Sequence, residues 1–426
     1  MSRHAVIYLL SGALSLLGNS VISIALPLLV LLRTGSALGA GTVMLASALP
    51  AVLIGIIGGV ILDRVNRRTV SIYSDVISAV AVAAIPIVDG LFGLSLGWFV
   101  ALGVIGAIGD VPGMTARETL LPAVVARSGV SSERLVGLRE SLGALVMVIG
   151  PALAGGLMVW LEGSTVMWFT AATSASAALV TLMLPRDIGR IAGTSTEPGA
   201  EQDRSPVALA VAQLREGLDH LFRRDSFILA LTLMMVVFAG VFGAFQALLL
   251  PVHFAALGQP GRLGLVLSAL SVGMLVGAGT YAVVGQKASR RTWFTLALLA
   301  SAVFILFIAA LPAYALLLTG AFAVGLAAGP LNAVLGVLAI ERIPEALRGR
   351  IMGTQNSVVM LIVPLVVFAA ALGIERVGLR PVAWALGALW VVASLVWLRL
   401  PALRDLEPRG ADQDVEAPES DEEQAA

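Results

Sequence analysis

The sequence predicts an all-α membrane protein with twelve transmembrane helices in two six-helix bundles. Three observations carry this prediction: an apolar composition, a one-sided distribution of positive charge and an internal duplication. Of the 426 residues, 58% are hydrophobic and 13% are charged, and the mean hydropathy is +0.96. Soluble domains carry about 25% charged residues. The chain is therefore predicted to cross a membrane many times.

Twelve apolar segments account for most of the chain. About 20 apolar residues cross the ~30 Å hydrocarbon layer of a bilayer, and the segments approach or exceed this length. They are predicted at 5–32, 37–62, 70–88, 94–115, 135–160, 166–184, 227–253, 263–285, 293–311, 314–340, 351–373 and 382–398.

Positive charge lies almost entirely on one side of these segments. If the N-terminus is placed inside, all of the 27 Lys and Arg residues except Arg33, Arg262, Arg376 and Arg380 fall on the inner face. Because Lys and Arg are retained on the cytoplasmic side, both termini are predicted to be cytoplasmic and the membrane to be the cytoplasmic one. The first segment lacks a small-residue cleavage site and is expected to remain as a helix.

The chain also contains a duplication, which predicts two parallel halves around a central site. Three features recur at nearly equal offsets: Pro27 with Pro251, Arg67-Arg68 with Arg290-Arg291, and the R-x-x-G-x-x-x-S pattern at 134–141 with that at 350–357. The predicted division has bundles at 1–185 and 226–400, a cytoplasmic linker at 186–225 and an acidic, disordered cytoplasmic tail at 401–426. The end of the linker resembles an amphipathic helix on the membrane surface.

Several functional classes are disfavoured by composition. The chain has no cysteine, and His4, His220 and His253 are too scattered for a metal cluster. No cofactor, metal or nucleic acid is expected. A membrane-embedded enzyme is disfavoured because the segments show no nucleophile–base pairing or phosphate loop. That class and a non-transporting receptor remain as alternatives.

A charged turn, GVILDRVNRR, separates the second and third segments. Its pattern Gly59-x-x-x-Asp63-Arg64-x-x-Arg67-Arg68 resembles the loop between helices two and three in transporters of the major facilitator superfamily. The resemblance implies that the acid and the arginines latch the two halves together at the cytoplasmic face. Asp63 ends its own helix, where the helix dipole disfavours an acid, so it is expected beside the N-terminus of helix eleven.

Two further stretches sharpen this resemblance. PGMTARETLLP at 112–122, which contains Arg117, and IGPALAGG at 149–156 are similar to the macrolide-efflux-like branch. Arg117 is grouped with the cytoplasmic gate. Gly150, Pro151 and Gly155 also resemble the helix-five motif of drug:proton antiporters. Small residues permit close helix approach, and a simple packing face is the alternative.

Two carboxylates fall within predicted segments away from any favourable helix end. Ionisable groups within a membrane are costly and usually functional, so Asp110 and Asp75 are candidates for proton coupling. Asp110 is favoured because Pro112 and Gly113 follow it and can loosen the helix. The alternative for both is a static pair with an arginine such as Arg117.

Polar and aromatic positions indicate a cavity wall. Ser15, Asn19 and Ser23 recur every four residues in the first segment and form a stripe. Phe242 and Gln246 share a face of the seventh segment, although an aromatic face is more often a packing or lipid-facing surface. Such a cavity is roomy, apolar and weakly polar, which suits amphipathic organic molecules.

The sequence thus predicts a secondary active transporter that works as a monomer in the bilayer. Its expected partners are a small organic substrate and protons. The predicted function is proton-coupled efflux of hydrophobic or amphipathic drugs or metabolites by alternating access. A dedicated exporter of an endogenous product, such as a siderophore, is the alternative within the transporter class.

Overall fold

The computed structural model describes residues 2–62, 65–161, 163–189, 226–343, 345–400 and 406, with the side chains of 56–62 and 345–350 left out. Within these residues twelve helices are long and apolar enough to cross a membrane. This confirms the predicted fold class. The helices are α1 Arg3–Thr34, α2 Ala37–Leu62, α3 Arg67–Phe92, α4 Leu96–Ser128, α5 Ser132–Trp160, α6 Val166–Leu182, α7 Ser226–Ala256, α8 Pro260–Val284, α9 Arg290–Ala309, α10 Tyr314–Arg342, α11 Glu345–Val377 and α12 Leu379–Arg399.

The helices define two faces. We call the face at which α1 begins and α12 ends the terminal face, and the other the opposite face. At the opposite face the Asp89 carboxylate accepts hydrogen bonds from Arg33 and Ser164, each at 2.5 Å, which joins α1, α3 and the α5–α6 connection. At the terminal face the Tyr8 hydroxyl donates to the Arg117 carbonyl at 3.0 Å.

The duplication is visible in how the third helix of each half begins. The Asn66 side chain accepts from the Thr69 amide at 3.2 Å, and the Ser289 hydroxyl accepts from the Thr292 amide at 3.1 Å. A side-chain oxygen in this position satisfies an amide that the helix leaves free. The two charged turns therefore end on equivalent helix caps.

Helix α4 is longer than its apolar segment predicts. The segment was predicted to end at 115, whereas the helix continues to Ser128. Hydropathy drops at the charged residues of this stretch, but the helix continues because they have partners in neighbouring elements. Arg117 forms an ion pair with Asp75 of α3, and Arg127 forms one with Asp187.

Proline does not break α4. Pro112 lies inside the helix, and in the preceding turn the Gly109 carbonyl accepts a hydrogen bond from the Ser74 hydroxyl of α3. Neighbouring Ser and Thr side chains commonly satisfy backbone groups near prolines in membrane helices. Helix α7 is the irregular one, with a π-helical turn at Phe245–Leu249.

In the described residues the halves meet mainly through three helix pairs: α1 with α7, α2 with α11, and α5 with α8. The start of the predicted linker is a short turn, Arg186–Gly189, whose Arg186 carbonyl accepts from the Asn66 amide group at 2.9 Å. The predicted surface helix and the acidic tail, apart from Leu406, lie outside the described residues. The domain division therefore stays a prediction.

Candidate functional site

A cavity of about 380 Å³, here called the larger cavity, lies among α1, α2, α3, α4 and α11. Its lining is mostly apolar, and Asp110 is the one ionisable residue among the side chains that line it. The lining includes Ser23, Met44, Ser78, Asp110, Met360 and Pro364.

Asp110 lies near the middle of α4 rather than near its end, because α4 extends beyond its apolar segment. Its side chain is half-buried, and the Ser78 side chain of α3 lines the same cavity. Met360 and Pro364 of the second half close the cavity from the α11 side. A carboxylate thus borders an apolar space that both halves enclose.

A second cavity of about 110 Å³, the smaller cavity, lies between α1, α4 and α5. Ser15 and Asn19 line it together with Arg117 and Arg139. Ser23, the next member of the polar stripe on α1, lines the larger cavity. The stripe therefore borders both cavities in succession.

Asp75 lies behind these cavities rather than in them. It is 3% exposed, and its carboxylate accepts from Ser15 Oγ at 3.1 Å and forms an ion pair with Arg117. The three side chains tie α1, α3 and α4 together within the first half. A buried carboxylate with both a cation and a hydroxyl as partners has the geometry of a static link.

The aromatic candidates on α7 lie elsewhere. Phe242 and Gln246 are half-buried and line neither the larger nor the smaller cavity. The Phe242 ring stacks on Phe238 with 5.1 Å between centroids, and Phe238 lies 5.2 Å from Trp390. These rings pack inside the second half.

The helix-five motif lies where α5 meets its neighbours. A Cβ atom added to Gly155 would lie 2.7 Å from the Gly261 carbonyl oxygen and 3.0 Å from the Gly264 Cα of α8, and Gly264 in turn packs on the Pro151 carbonyl. Gly150 instead packs on Ser20 of α1. Two of the three motif positions therefore form a tight seam between the halves.

Helices α2 and α11 form a second seam near the opposite face. A Cβ atom on Gly41 would lie 2.8 Å from the Ala371 Cβ and 3.3 Å from the Phe368 Cα. One turn further out, Glu375 of α11 accepts hydrogen bonds from the start of α2. The sequence analysis missed Glu375, although its position at the end of α11 repeats the signal that drew attention to Asp63.

The charged turn is described only in part. Asp63 and Arg64 lie outside the described residues, and Gly59 lies in the last turn of α2. Arg67 donates to the Thr119 carbonyl of α4 at 3.1 Å, and Arg68 donates to the Leu182 carbonyl of α6 at 2.7 Å. In this conformation both arginines hold α3 against other helices of the first half.

No group of three or more His, Cys, Asp or Glu side chains that could hold a metal ion occurs in the part of the chain that the structure describes.

Two helical halves that meet around an apolar cavity are typical of secondary transporters. A family model described as Major Facilitator Superfamily matches residues 8–258 and 232–421, and the chain belongs to this family. This confirms the family named from the charged turn. The chain is therefore a multi-pass membrane protein of a transporter family and not an enzyme.

Among similar proteins, the multidrug efflux pump Tap of Mycolicibacterium fortuitum is 32% identical over 394 residues, which cover 92% of this chain and 94% of the pump. The pump of the same name from Mycobacterium tuberculosis H37Rv is 31% identical over 407 residues, or 95% of this chain and 94% of the pump. Macrolide efflux protein A of Streptococcus pyogenes is 22% identical over 401 residues, which cover 93% of this chain and 95% of that protein.

Solved structures show the same fold. The nucleoside transporter NupG superposes with a TM-score of 0.70 at 13% identity and covers 92% of this chain and 98% of its own. A bacterial homologue of the iron transporter ferroportin, in an inward-facing state, superposes with a TM-score of 0.69 at 15% identity, with 93% of this chain and 99% of its own covered.

Proposed function

We propose that this protein exports hydrophobic or amphipathic drugs or metabolites across the cytoplasmic membrane in exchange for entering protons. The transporter works as a monomer by alternating access. The terminal face is cytoplasmic, because among the described residues it carries all Lys and Arg except Arg33, Arg262, Arg376 and Arg380. The observation that carries the proposal is the larger cavity, an apolar space with Asp110 as the one ionisable side chain on its wall.

The lining of this cavity suits the proposed substrates. Apolar walls with a few polar groups favour ligands with large apolar surfaces over sugars or ions. Met44 and Met360 add flexible side chains, which can repack around ligands of different shapes. The names of the relatives, multidrug and macrolide efflux proteins, agree with such a substrate range.

Asp110 is the proposed proton carrier because it lines the cavity beside a neutral hydroxyl, Ser78, and forms no ion pair among the described residues. Asp75 differs, since Arg117 neutralises it in a buried ion pair. A carboxylate can alternate between charged and neutral forms at lower cost where no cation forms a direct ion pair with it. The two acids therefore have separate roles, Asp110 in coupling and Asp75 in structure.

The two seams support alternating access. The α5–α8 seam at Gly155 and the α2–α11 seam at Gly41 both lie in the half of the membrane nearer the opposite face. Close backbone contact there excludes a substrate path at that face. We therefore propose that the structure represents a state of the cycle in which the opposite face is closed.

The test uses purified full-length protein in lipid vesicles with an imposed pH gradient and a panel of labelled amphipathic compounds. We expect the parent protein to move at least one compound in exchange for protons that flow down the imposed gradient. Asp110→Asn removes the titratable group, so gradient-driven movement should fall to the level of empty vesicles while passive exchange of substrate persists. Glu341→Gln, which changes an acid at the end of α10, is the matched control and should keep gradient-driven transport.

Full gradient-driven transport by Asp110→Asn would refute the role of Asp110. If Asp75→Asn also kept it, proton antiport through these two acids would be excluded. Transport of sugars or metal ions in preference to amphipathic compounds would contradict the proposed substrate class.

A further inference from the structure

Helices α2 and α11 face each other across the two halves and run antiparallel. At each face, the N-terminal end of one helix therefore lies beside the C-terminal end of the other. Free amide groups concentrate positive potential at a helix N-terminus, and free carbonyl groups concentrate negative potential at a C-terminus.

At the opposite face a carboxylate of one half caps a helix of the other. Glu375 lies in the last turn of α11, and its Oε1 accepts from Ser36 Oγ at 2.8 Å and from the Leu38 amide at 3.3 Å. Ser36 Oγ also accepts from the Gly39 amide at 3.1 Å. The start of α2 is thus capped jointly by its own Ser36 and by Glu375 of the second half. We call this arrangement the outer clasp.

The outer clasp compensates two unfavourable placements at once. An acid at the end of α11 is opposed by the dipole of its own helix, but the N-terminus of α2 favours it. In return, the carboxylate satisfies an amide that α2 cannot pair internally. Movement of the halves apart at this face would remove both effects.

The clasp continues directly into the α2–α11 seam. Gly41 lies just over one turn along α2 from Ser36, and Ala371 lies one turn along α11 from Glu375. The missing side chain at Gly41 lets the two backbones approach closely enough for Glu375 to reach the start of α2. Clasp and seam are therefore one contact surface between the halves.

We infer that the outer clasp is a gate of the transport cycle, with Glu375 and Ser36 as its positioning residues. It closes the opposite face in the present state and breaks when the larger cavity opens to that face. The inference rests on the proposed transport by alternating access. The same two helices are expected to make an equivalent contact at the terminal face, between Asp63 at the end of α2 and the N-terminus of α11.

The experiment measures distances between spin labels in the full-length protein in lipid nanodiscs. Since the chain has no native cysteine, introduced cysteines are the sole labelling sites. Leu91→Cys in the first half and Leu257→Cys in the second half report on the opposite face, where both side chains are exposed. Tyr73→Cys in the first half and Val283→Cys in the second half, both at exposed positions, report on the side of the terminal face.

We expect Glu375→Gln to raise the fraction of molecules with a long opposite-face distance about fivefold, and Ser36→Ala to raise it by a smaller factor. The terminal-face distance should shorten in parallel. Asp89→Asn is the matched control, because Asp89 lies at the same face but bonds within the first half, so its opposite-face distances should stay as in the parent.

Unchanged opposite-face distances in both Glu375→Gln and Ser36→Ala would overturn the gate. So would an equal shift in Asp89→Asn, which would mark a general loosening of that face. The distance measurement needs neither a substrate nor a pH gradient. A failure of the gate is therefore distinguishable from a failure of proton-driven export, which the vesicle assay detects separately.

Discussion

The third helix begins in the same way in both halves, whereas the charges that it and its neighbour carry differ. Asn66 and Ser289 cap α3 and α9 through equivalent bonds. In the first half, α3 and α4 then place Asp75 and Arg117 in a buried ion pair. In the second half the corresponding pair of helices carries Arg290 with Glu341, which is more exposed and lies at the helix ends.

This difference distinguishes the residues that shape each half from the residues that place charge inside the membrane. Helix caps and helix packing determine the shape of each half, so both copies retain them. A carboxylate within a membrane is costly, and the described part of the second half places none on the wall of the larger cavity. The first half carries the candidate coupling acid Asp110, and the described part of the second half contributes Met360 and Pro364 to the same cavity.

The sharpest test of this contrast removes the cation of each pair. Arg117→Met leaves Asp75 buried without its ionic partner and should lower the free energy of unfolding by about 3–5 kcal/mol. Arg290→Met disrupts an exposed pair and should cost at most about 1 kcal/mol. Unfolding of the purified variants in detergent measures both.

The double variant Arg117→Met with Asp75→Asn removes both charges and should recover much of the loss. Equal losses for Arg117→Met and Arg290→Met would show that the two pairs are energetically alike and that the contrast between the halves is wrong.

A second test concerns the seam where the halves meet. Gly155→Ala places a methyl group against the backbone of α8, so we expect a loss of about 1–3 kcal/mol in stability and a wider separation at the opposite face. Gly156→Ala is the matched control, because a Cβ atom there has no neighbour within 4 Å. If the two variants behave alike in thermal unfolding and label distances, the seam does not depend on close approach at Gly155.

The smallest expected effect tests the similarity of the halves rather than their difference. Asn66→Ala and Ser289→Ala each remove one helix cap and should lower stability by about 1 kcal/mol. Asn66→Ala should cost slightly more, because Asn66 also donates to the Arg186 carbonyl. Thermal unfolding in detergent measures both losses. A large difference between them would show that the two helix caps are not equivalent.

Much of the fold was predictable because each transmembrane helix is encoded by a continuous apolar segment. Twelve apolar segments, the one-sided charge and the repeated Arg67-Arg68 turn led to the correct fold class and family. The end of α4 was not predictable from hydropathy, since the apolar run stops near Arg117 while the helix continues. Asp110 therefore lies nearer the middle of its helix than the sequence indicated.

The site was less predictable than the fold. Sequence reasoning singled out Asp75 and Asp110 together, and it left open whether either pairs with Arg117. The structure separates them, because Asp75 faces Arg117 and Ser15 while Asp110 faces the larger cavity. The two side chains differ in which neighbouring helices they meet, and spacing along one helix does not determine that.

By itself, then, the sequence determined the spans, the duplication and the family, because hydrophobicity and charge placement are properties of continuous segments. Only the tertiary structure decided which charges meet. Ser36 and Glu375 are 339 residues apart and belong to different halves, so their contact depends on how closely α2 and α11 approach. That approach depends on Gly41 and Ala371, whose small size is informative only once the two helices are known to be neighbours.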